Sequence, residues 1–214
     1  MFDLQTADLS GKLVDCAGGP ASFNAEASAH GHRVVSCDPL YESSAGEISA
    51  SIDDTVDQIV SNAETNRDRF LWHELESPRR LGEARMAAMR RFLDDFPRGL
   101  QEGRYRAAVL PSLPFEDRAF DLSLCSHFLF TYSDQLSLDF HIASIEEMCR
   151  VAGEARVFPL LKGYGATSHL LEPVVSTLQG RGYAVQTRLV PYEFQRGGNR
   201  MLVASHKPAE SSGA

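Results

Sequence analysis

Three short stretches of the sequence carry residue types that could do chemistry. The first is Asp15-Cys16-Ala17-Gly18-Gly19-Pro20-Ala21, which follows an apolar run and leads into an Ala-rich segment. Small residues let the backbone approach a ligand, and a helix starting there offers free N–H groups. The turn lacks the G-x-G-x-x-G spacing of a dinucleotide site. Asp15 also stands where a pyrophosphate would meet a like charge; a carboxylate there suits a cationic ligand. The second is Asp38-Pro39, 23 residues beyond Asp15. An acidic side chain at the end of a second strand can accept both hydroxyls of a ribose, and it can equally cap a turn before Pro39. The third is Cys125-Ser126-His127-Phe128. His127 has the intrinsic pKa of a general base near neutral pH, and the competing reading is a core-edge histidine bonded to backbone. Tyr132 and His141 follow, His141 beside an apolar stripe that favours a structural place. Tyr41 could stack on a ligand or fill a loop. Phe194 and Gln195 lie in a polar-aromatic run, 191–199, whose Gly197, Gly198 and Asn199 suit a tight turn. Trp72, within Phe70-Leu71-Trp72-His73, reads as a substrate contact or a core anchor.

These residues must be held by elements that alternate along the chain. Residues 12–16, 33–37, 106–110, 120–125 and 157–161 read as strands, and 184–190 and 201–204 as a closing antiparallel pair. Residues 21–29 read as a helix stopped by Gly31. Leu138, Ile142, Ile145 and Cys149 recur at helical spacing, as do Leu171, Val174, Val175 and Leu178. Strand alternating with helix predicts a mostly parallel sheet covered on both faces, with ligands beyond the carboxyl ends of its strands. Residues 45–104 exceed what a crossover needs. Ile48, Ile52, Val56, Ile59 and Ala63 form one helical face; Ser77-Pro78 reads as a cap with Pro at the first helical position; Leu81, Arg85, Ala88 and Phe92 form another face. This helical insertion is the candidate lid. Residues 1–206 are expected to form one domain, and 207–214 a loose polar tail.

Composition narrows the function classes. The 214 residues are 43% hydrophobic and 23% charged, with a formal net charge of −8. No segment is apolar enough for a bilayer span and the N-terminus does not read as a signal peptide, so a cytoplasmic protein without membrane partners is expected. The acidic balance opposes tight binding to a phosphate backbone. Ten of the 21 basic residues fall within 67–106, all arginines; they form either a solvated helix face or an arginine-lined mouth for an anionic substrate. Cys16, Cys37, Cys125 and Cys149 show no ligand spacing and read as buried free thiols, so no metal is expected.

With these pieces in place the chain resembles the class I S-adenosylmethionine-dependent methyltransferases over roughly residues 11–205 outside the insertion. The resemblance rests on Leu13-Val14-Asp15-Cys16-Ala17-Gly18-Gly19-Pro20-Ala21, on Asp38, on Leu113-Pro114-Phe115 leading into Phe120-Asp121-Leu122, and on Glu147-Met148-Cys149-Arg150-Val151. It implies a Rossmann-like, doubly wound, seven-stranded α/β sheet, mostly parallel with an antiparallel last strand. It implies S-adenosyl-L-methionine as cofactor, held by Asp15, Ala17, Gly18, Gly19, Asp38, Pro39, Leu110, Pro111, Ser112 and Ser126. His127 and Tyr132 are then the catalytic candidates, and Tyr41, Trp72, His141, Phe194 and Gln195 the substrate contacts. Two departures stand out. Ala17 and Ala21 replace glycines of the family turn. Alanine does not take positive φ cheaply, so either the turn differs or both alanines keep negative φ. The acidic residue that often meets adenine is also missing, which leaves Ser112 and backbone groups. The expected activity is methyl transfer to a small-molecule acceptor, without nucleic acid and with a homodimer allowed. The alternative is a catalytically silent cofactor-binding or scaffold protein on the same fold.

Overall fold

The computed structural model describes residues 1–53, 55–163 and 165–207. The first elements are α1 (Thr6–Ser10), β1 (Lys12–Cys16), α2 (Phe23–Ala29) and β2 (Arg33–Cys37). The insertion supplies α3 (Ala45–Asp53), α4 (Val56–Thr65) and α5 (Pro78–Gln101). There follow β3 (Tyr105–Arg106), β4 (Phe120–Ser126), α6 (Leu138–Val151), β5 (Ala152–Phe158), the short pair β6 (Leu161–Lys162) and β7 (Ala166–Thr167), α7 (Leu171–Gly180), β8 (Tyr183–Leu189) and β9 (Arg200–His206).

Seven strands form one sheet in the order β3-β2-β1-β4-β5-β9-β8. β1 pairs in parallel with β2 and β4, and β4 with β5, while β9 runs antiparallel to both β5 and β8. The expected Rossmann-like, doubly wound sheet is therefore present. The last strand, β9, is antiparallel as expected and lies between β5 and β8. Successive β1 residues are buried on opposite faces: Val14 and Cys16 pack with α6 and α7, Leu13 with Phe2, Phe23 and Ala27. A sheet covered on both sides makes near-continuous apolar strands, as the burial of β1 and β4 shows. Cys16, Cys37, Cys125 and Cys149 are buried free thiols, as expected.

Two strands differ from the sequence reading. The third pairs only at Tyr105 and Arg106; the residues after it leave the sheet because Leu110 turns into the core and a tight turn closes between Val109 and Ser112. The fifth starts at Ala152 directly from α6, not at 157. Its charged start is tolerated because Arg156 is met by Asp8 on α1 at 3.0 Å and by Glu154 at 2.7 Å.

The insertion folds against the sheet edge through its own apolar clusters. Ile48 and Ile52 join Tyr41, Phe92, Phe96 and Tyr105, whereas Ala63 joins Phe70 and Leu81, with Ile59, Trp72 and Phe194 alongside. The single face expected from Ile48 to Ala63 is thus split between two helices and two clusters. Ser77 caps α5 by accepting from the Arg80 N–H, with Pro78 at the first helical position, as its sequence predicts. Of the tail expected over 207–214, only Lys207 lies within the described residues. Among the described residues no helix is long and apolar enough to cross a membrane.

Candidate active site

β1 and β4 are neighbours, with Cys16 opposite Cys125. The Ala17–Gly19 turn and the Ser126-His127 segment therefore leave adjacent strands at the same sheet edge, on either side of the point where strand order reverses. Asp38 follows at the end of β2.

The turn is compact because of Gly18. A Cβ built there would lie 2.6 Å from Asp15 Oδ2 and 2.8 Å from the Tyr41 hydroxyl, so only glycine fits. Of the two alternatives for the alanine-substituted turn, negative φ does not hold at Ala17, which sits at φ +56°; Gly19 is at +55°. Left-handed backbone costs an alanine about 1–2 kcal/mol, and the surrounding bonds hold it: Gly18 N–H donates to Cys37 O at 3.1 Å, and the Tyr41 hydroxyl donates to Gly19 O at 2.8 Å. Above Gly19 the space is open, with no atom within 4 Å of a built Cβ.

The two acidic residues take different places. Asp15, only 7% exposed, lies beneath the turn and accepts from the Ser36 hydroxyl at 3.0 Å. Burial raises its pKa to about 7, with the Asp38 charge adding to the rise and the Ser36 bond opposing it. It is not among the residues lining the cavity beside His127, and the structure places it under the turn. Asp38 is half-buried and ordered by two backbone donors, Gly19 N–H and Leu40 N–H, both at 2.9 Å. This is the capping geometry, with Pro39 opening a short 3₁₀ turn. A carboxylate has about four lone-pair sites, so the cap leaves two for a ligand's hydroxyls.

His127 stands at the carboxyl end of β4 in left-handed backbone, φ +53°. Its N–H donates to Phe158 O at 2.7 Å, its Nδ1 shares a hydrogen bond with the Ser126 hydroxyl at 2.8 Å, and its ring lies edge-on to Phe158. Desolvation, then the positive charges of Arg85 and the chain N-terminus, lower its pKa to about 4. The residue is exposed; with either its ordinary or its lowered pKa the ring is neutral at pH 7. The first residues of the chain also reach this edge, since the Ser126 hydroxyl lies 3.8 Å from Met1 Sδ.

Beside His127 is a cavity of ≈ 80 Å³ lined by Ile59, Asn62 and Ala63 of α4, Phe70, Leu81 and Arg85 of the insertion, Phe158 at the end of β5, and Tyr192, Phe194, Gln195 and Gly198 of the β8–β9 loop. The insertion and that loop are joined by main-chain bonds: Leu71 N–H donates to Phe194 O at 2.8 Å and Arg196 N–H to Arg69 O at 2.9 Å. Phe70 and Phe194 stack with centroids 4.9 Å apart.

Of the expected substrate contacts, Phe194 and Gln195 line this cavity with His127. Trp72 packs behind Phe70 and Phe194 and donates to Arg67 O, so it supports the wall. Tyr41 is buried among Phe92, Phe96 and Tyr105 and presents no ring to a ligand. His141 is fully buried with both ring nitrogens at hydrogen-bond distance of carbonyls, Ser137 O and Leu129 O. Tyr132, the second catalytic candidate, is 48% exposed beside Phe128 and is not among the lining residues. Leu110 is core; Pro111 and Ser112 are exposed on the turn beyond β3. The Leu113-Pro114-Phe115 run is clamped by α6, with Leu113 N–H donating to Glu147 and Arg150 donating to the Leu113 and Phe115 carbonyls.

Most arginines of α5 and the turn after it are paired with acids: Arg79 and Arg80 with Glu83, Arg91 with Glu26, Arg98 with Glu102, and Arg104 with Asp95. Those of α5 are a solvated, compensated face, whereas the Arg104–Asp95 pair is largely buried. Arg85 differs in lining the cavity. Its sequence signal was a cation in the otherwise apolar series Leu81, Ala88, Phe92. Phe158 and Tyr192 carried no comparable mark.

No family model matches the chain. Over 204 residues it is 29% identical to an uncharacterized protein of Methanocaldococcus jannaschii, covering 95% of this chain and 89% of that one. Among solved structures it is similar to magnesium protoporphyrin IX methyltransferase from Synechocystis with bound S-adenosylmethionine, at 15% identity and a TM-score of 0.47, covering 94% of this chain and 73% of that one. A TehB-like methyltransferase from Corynebacterium glutamicum gives 14% identity and 0.48, covering 92% and 81%. An S-adenosylmethionine-dependent methyltransferase from Methanosarcina mazei gives 14% and 0.48, covering 96% of this chain and 95% of that one.

Proposed function

We propose that the protein is a class I S-adenosylmethionine-dependent methyltransferase acting on a small-molecule acceptor. The observation that carries this reading is the placement of one constellation at the reversal point of the sheet: the Gly18-Gly19 turn after β1, Asp38 after β2, and His127 after β4 beside the cavity. Ligands of open α/β sheets bind at this point.

The residues fit the cofactor in specific respects. Asp38, held by two amides, has lone pairs left for ribose hydroxyls. The open space above Gly19 lets a ligand approach the backbone. Ser126 is half-buried beside His127 at the β4 end of the same edge. Asp15 holds the turn from below.

When bound, the cofactor supplies a methyl group already activated by its sulfonium charge. The protein's remaining tasks are alignment and exclusion of water. α4, the 67–73 segment and the β8–β9 loop roof the cavity and do the excluding; residues 45–104 thus act as the lid. Phe70, Phe158 and Phe194 form its apolar wall. His127, neutral at working pH, accepts the acceptor's proton where the nucleophile carries one.

Calorimetry with S-adenosylhomocysteine tests the reading. Micromolar-range binding is expected, weakened roughly tenfold or more by Asp38→Asn, which replaces a charged acceptor by an amide. A flat titration of the folded protein at millimolar ligand rejects it.

A further inference from the structure

We infer that the cavity is an anion subsite in which Arg85 holds the carboxylate end of the methyl acceptor. This deepens the proposed function and rests on it only for the word acceptor; the subsite itself stands on the geometry of the cavity.

The lining residues include one full charge, the Arg85 guanidinium, and no acidic side chain. Among the described residues Arg85 has no ion-pair partner, unlike Arg79, Arg80, Arg91, Arg98 and Arg104. The neutral polar liners are donors in the right state. Asn62 spends its side-chain oxygen on Gln58 Nε2 at 3.1 Å, which leaves its NH₂ group to donate. Gln195 gives one N–H to Gly163 O at 3.3 Å and keeps a second. Besides burial, Arg85 and then the N-terminal ammonium both push His127 toward its neutral form. The nearby acids, Asp3 and Glu74, act on the N-terminus, and Glu74 also on Tyr192, but neither lines the cavity. A cationic acceptor would therefore meet repulsion without compensation. An anion would meet one guanidinium and two amide donors against an apolar wall, where a charge-assisted hydrogen bond is strong.

Size sets the class further. A cavity of about 150 Å³ holds a benzene ring; this one, at ≈ 80 Å³, holds an end group of a few non-hydrogen atoms. One guanidinium and this volume suit a monocarboxylate on a short aliphatic stem, with the rest of the acceptor directed past His127.

The test titrates propionate and its neutral isostere propionamide into the folded protein, with and without S-adenosylhomocysteine, following the His127 ring resonances. Propionate should bind saturably and raise the His127 titration midpoint, because a bound anion favours the imidazolium; propionamide should do neither. Arg85→Gln, at an exposed position where folding is not at risk, should weaken propionate roughly tenfold or more, and Arg85→Lys should recover part of it. Equal binding of propionate and propionamide, or propionate binding untouched by Arg85→Gln, overturns the inference. Because propionate needs no cofactor here, a failure of S-adenosylhomocysteine to bind would remove the proposed function while leaving this result readable.

Discussion

Asp15 makes the protein's stability depend on pH in an unusual direction, and the effect can be isolated with one substitution. Its pKa is 3.8 in the ordinary case and about 7 beneath the turn, chiefly through burial. Below pH 3.8 the carboxyl is protonated both in the fold and in the unfolded chain and costs nothing. As pH rises toward 7 the unfolded chain releases the proton while the fold retains it, so stability falls; above 7 the loss is complete. At 1.36 kcal/mol per pKa unit the full penalty is about 4 kcal/mol, of which about 2.5 kcal/mol develops between pH 5 and pH 8. Asp15→Asn keeps the size and the oxygen that accepts from Ser36 but cannot ionise. Urea unfolding of both proteins at pH 5 and pH 8 should therefore show the variant gaining about 2.5 kcal/mol on the wild type across that interval. In thermal melts this is a relative gain of about 5–10 °C. Other titrating groups cancel in the difference. A gap between the two proteins that is the same at both pH values would refute the assignment of a buried, proton-retaining Asp15.

Two further outcomes follow from the same site. Gly18→Ala should destabilise by about 1–3 kcal/mol, because its Cβ meets Asp15 and Tyr41 below 3 Å; denaturation alongside a titration with S-adenosylhomocysteine checks both the fold and the turn. His127→Ala should lower kcat roughly a hundredfold with cofactor affinity unchanged; since burial and nearby cations lower its pKa to about 4, the wild-type rate should stay flat from pH 8 down to about pH 5, and a rate that falls through pH 6.5 would speak against that environment.

Much of the frame is legible along the chain because parallel strands buried on both faces write continuous apolar runs. The strands at 12–16, 33–37 and 120–125 stand out in this way, and so does the cap at Ser77-Pro78. β5 hides because it carries Glu154 and Arg156, and the Arg156 charge is matched by Asp8 at the other end of the chain as well as by Glu154; local composition cannot show such a distant partner. The placement of the candidate residues is legible where they sit directly after a strand, as at Gly18, Asp38 and His127. It is not legible where tertiary packing decides between core and surface. Tyr41 and His141 carry functional-looking side chains, yet one fills an aromatic cluster and the other spends both nitrogens on carbonyls. Arg85 is the reverse case: a charge on a helix rich in arginines, distinguished only by the cavity it meets.

The roof over the cavity is fastened by the polypeptide itself, since the rungs from Leu71 to Phe194 and from Arg196 to Arg69 are main-chain bonds. A latch of that kind does not read side chains. Phe194 and Gln195 can be exchanged without undoing it, so the pocket's selectivity is free to drift while the closure persists. The same fastening means that the insertion cannot swing as a separate flap without carrying the last hairpin's loop with it or breaking both rungs.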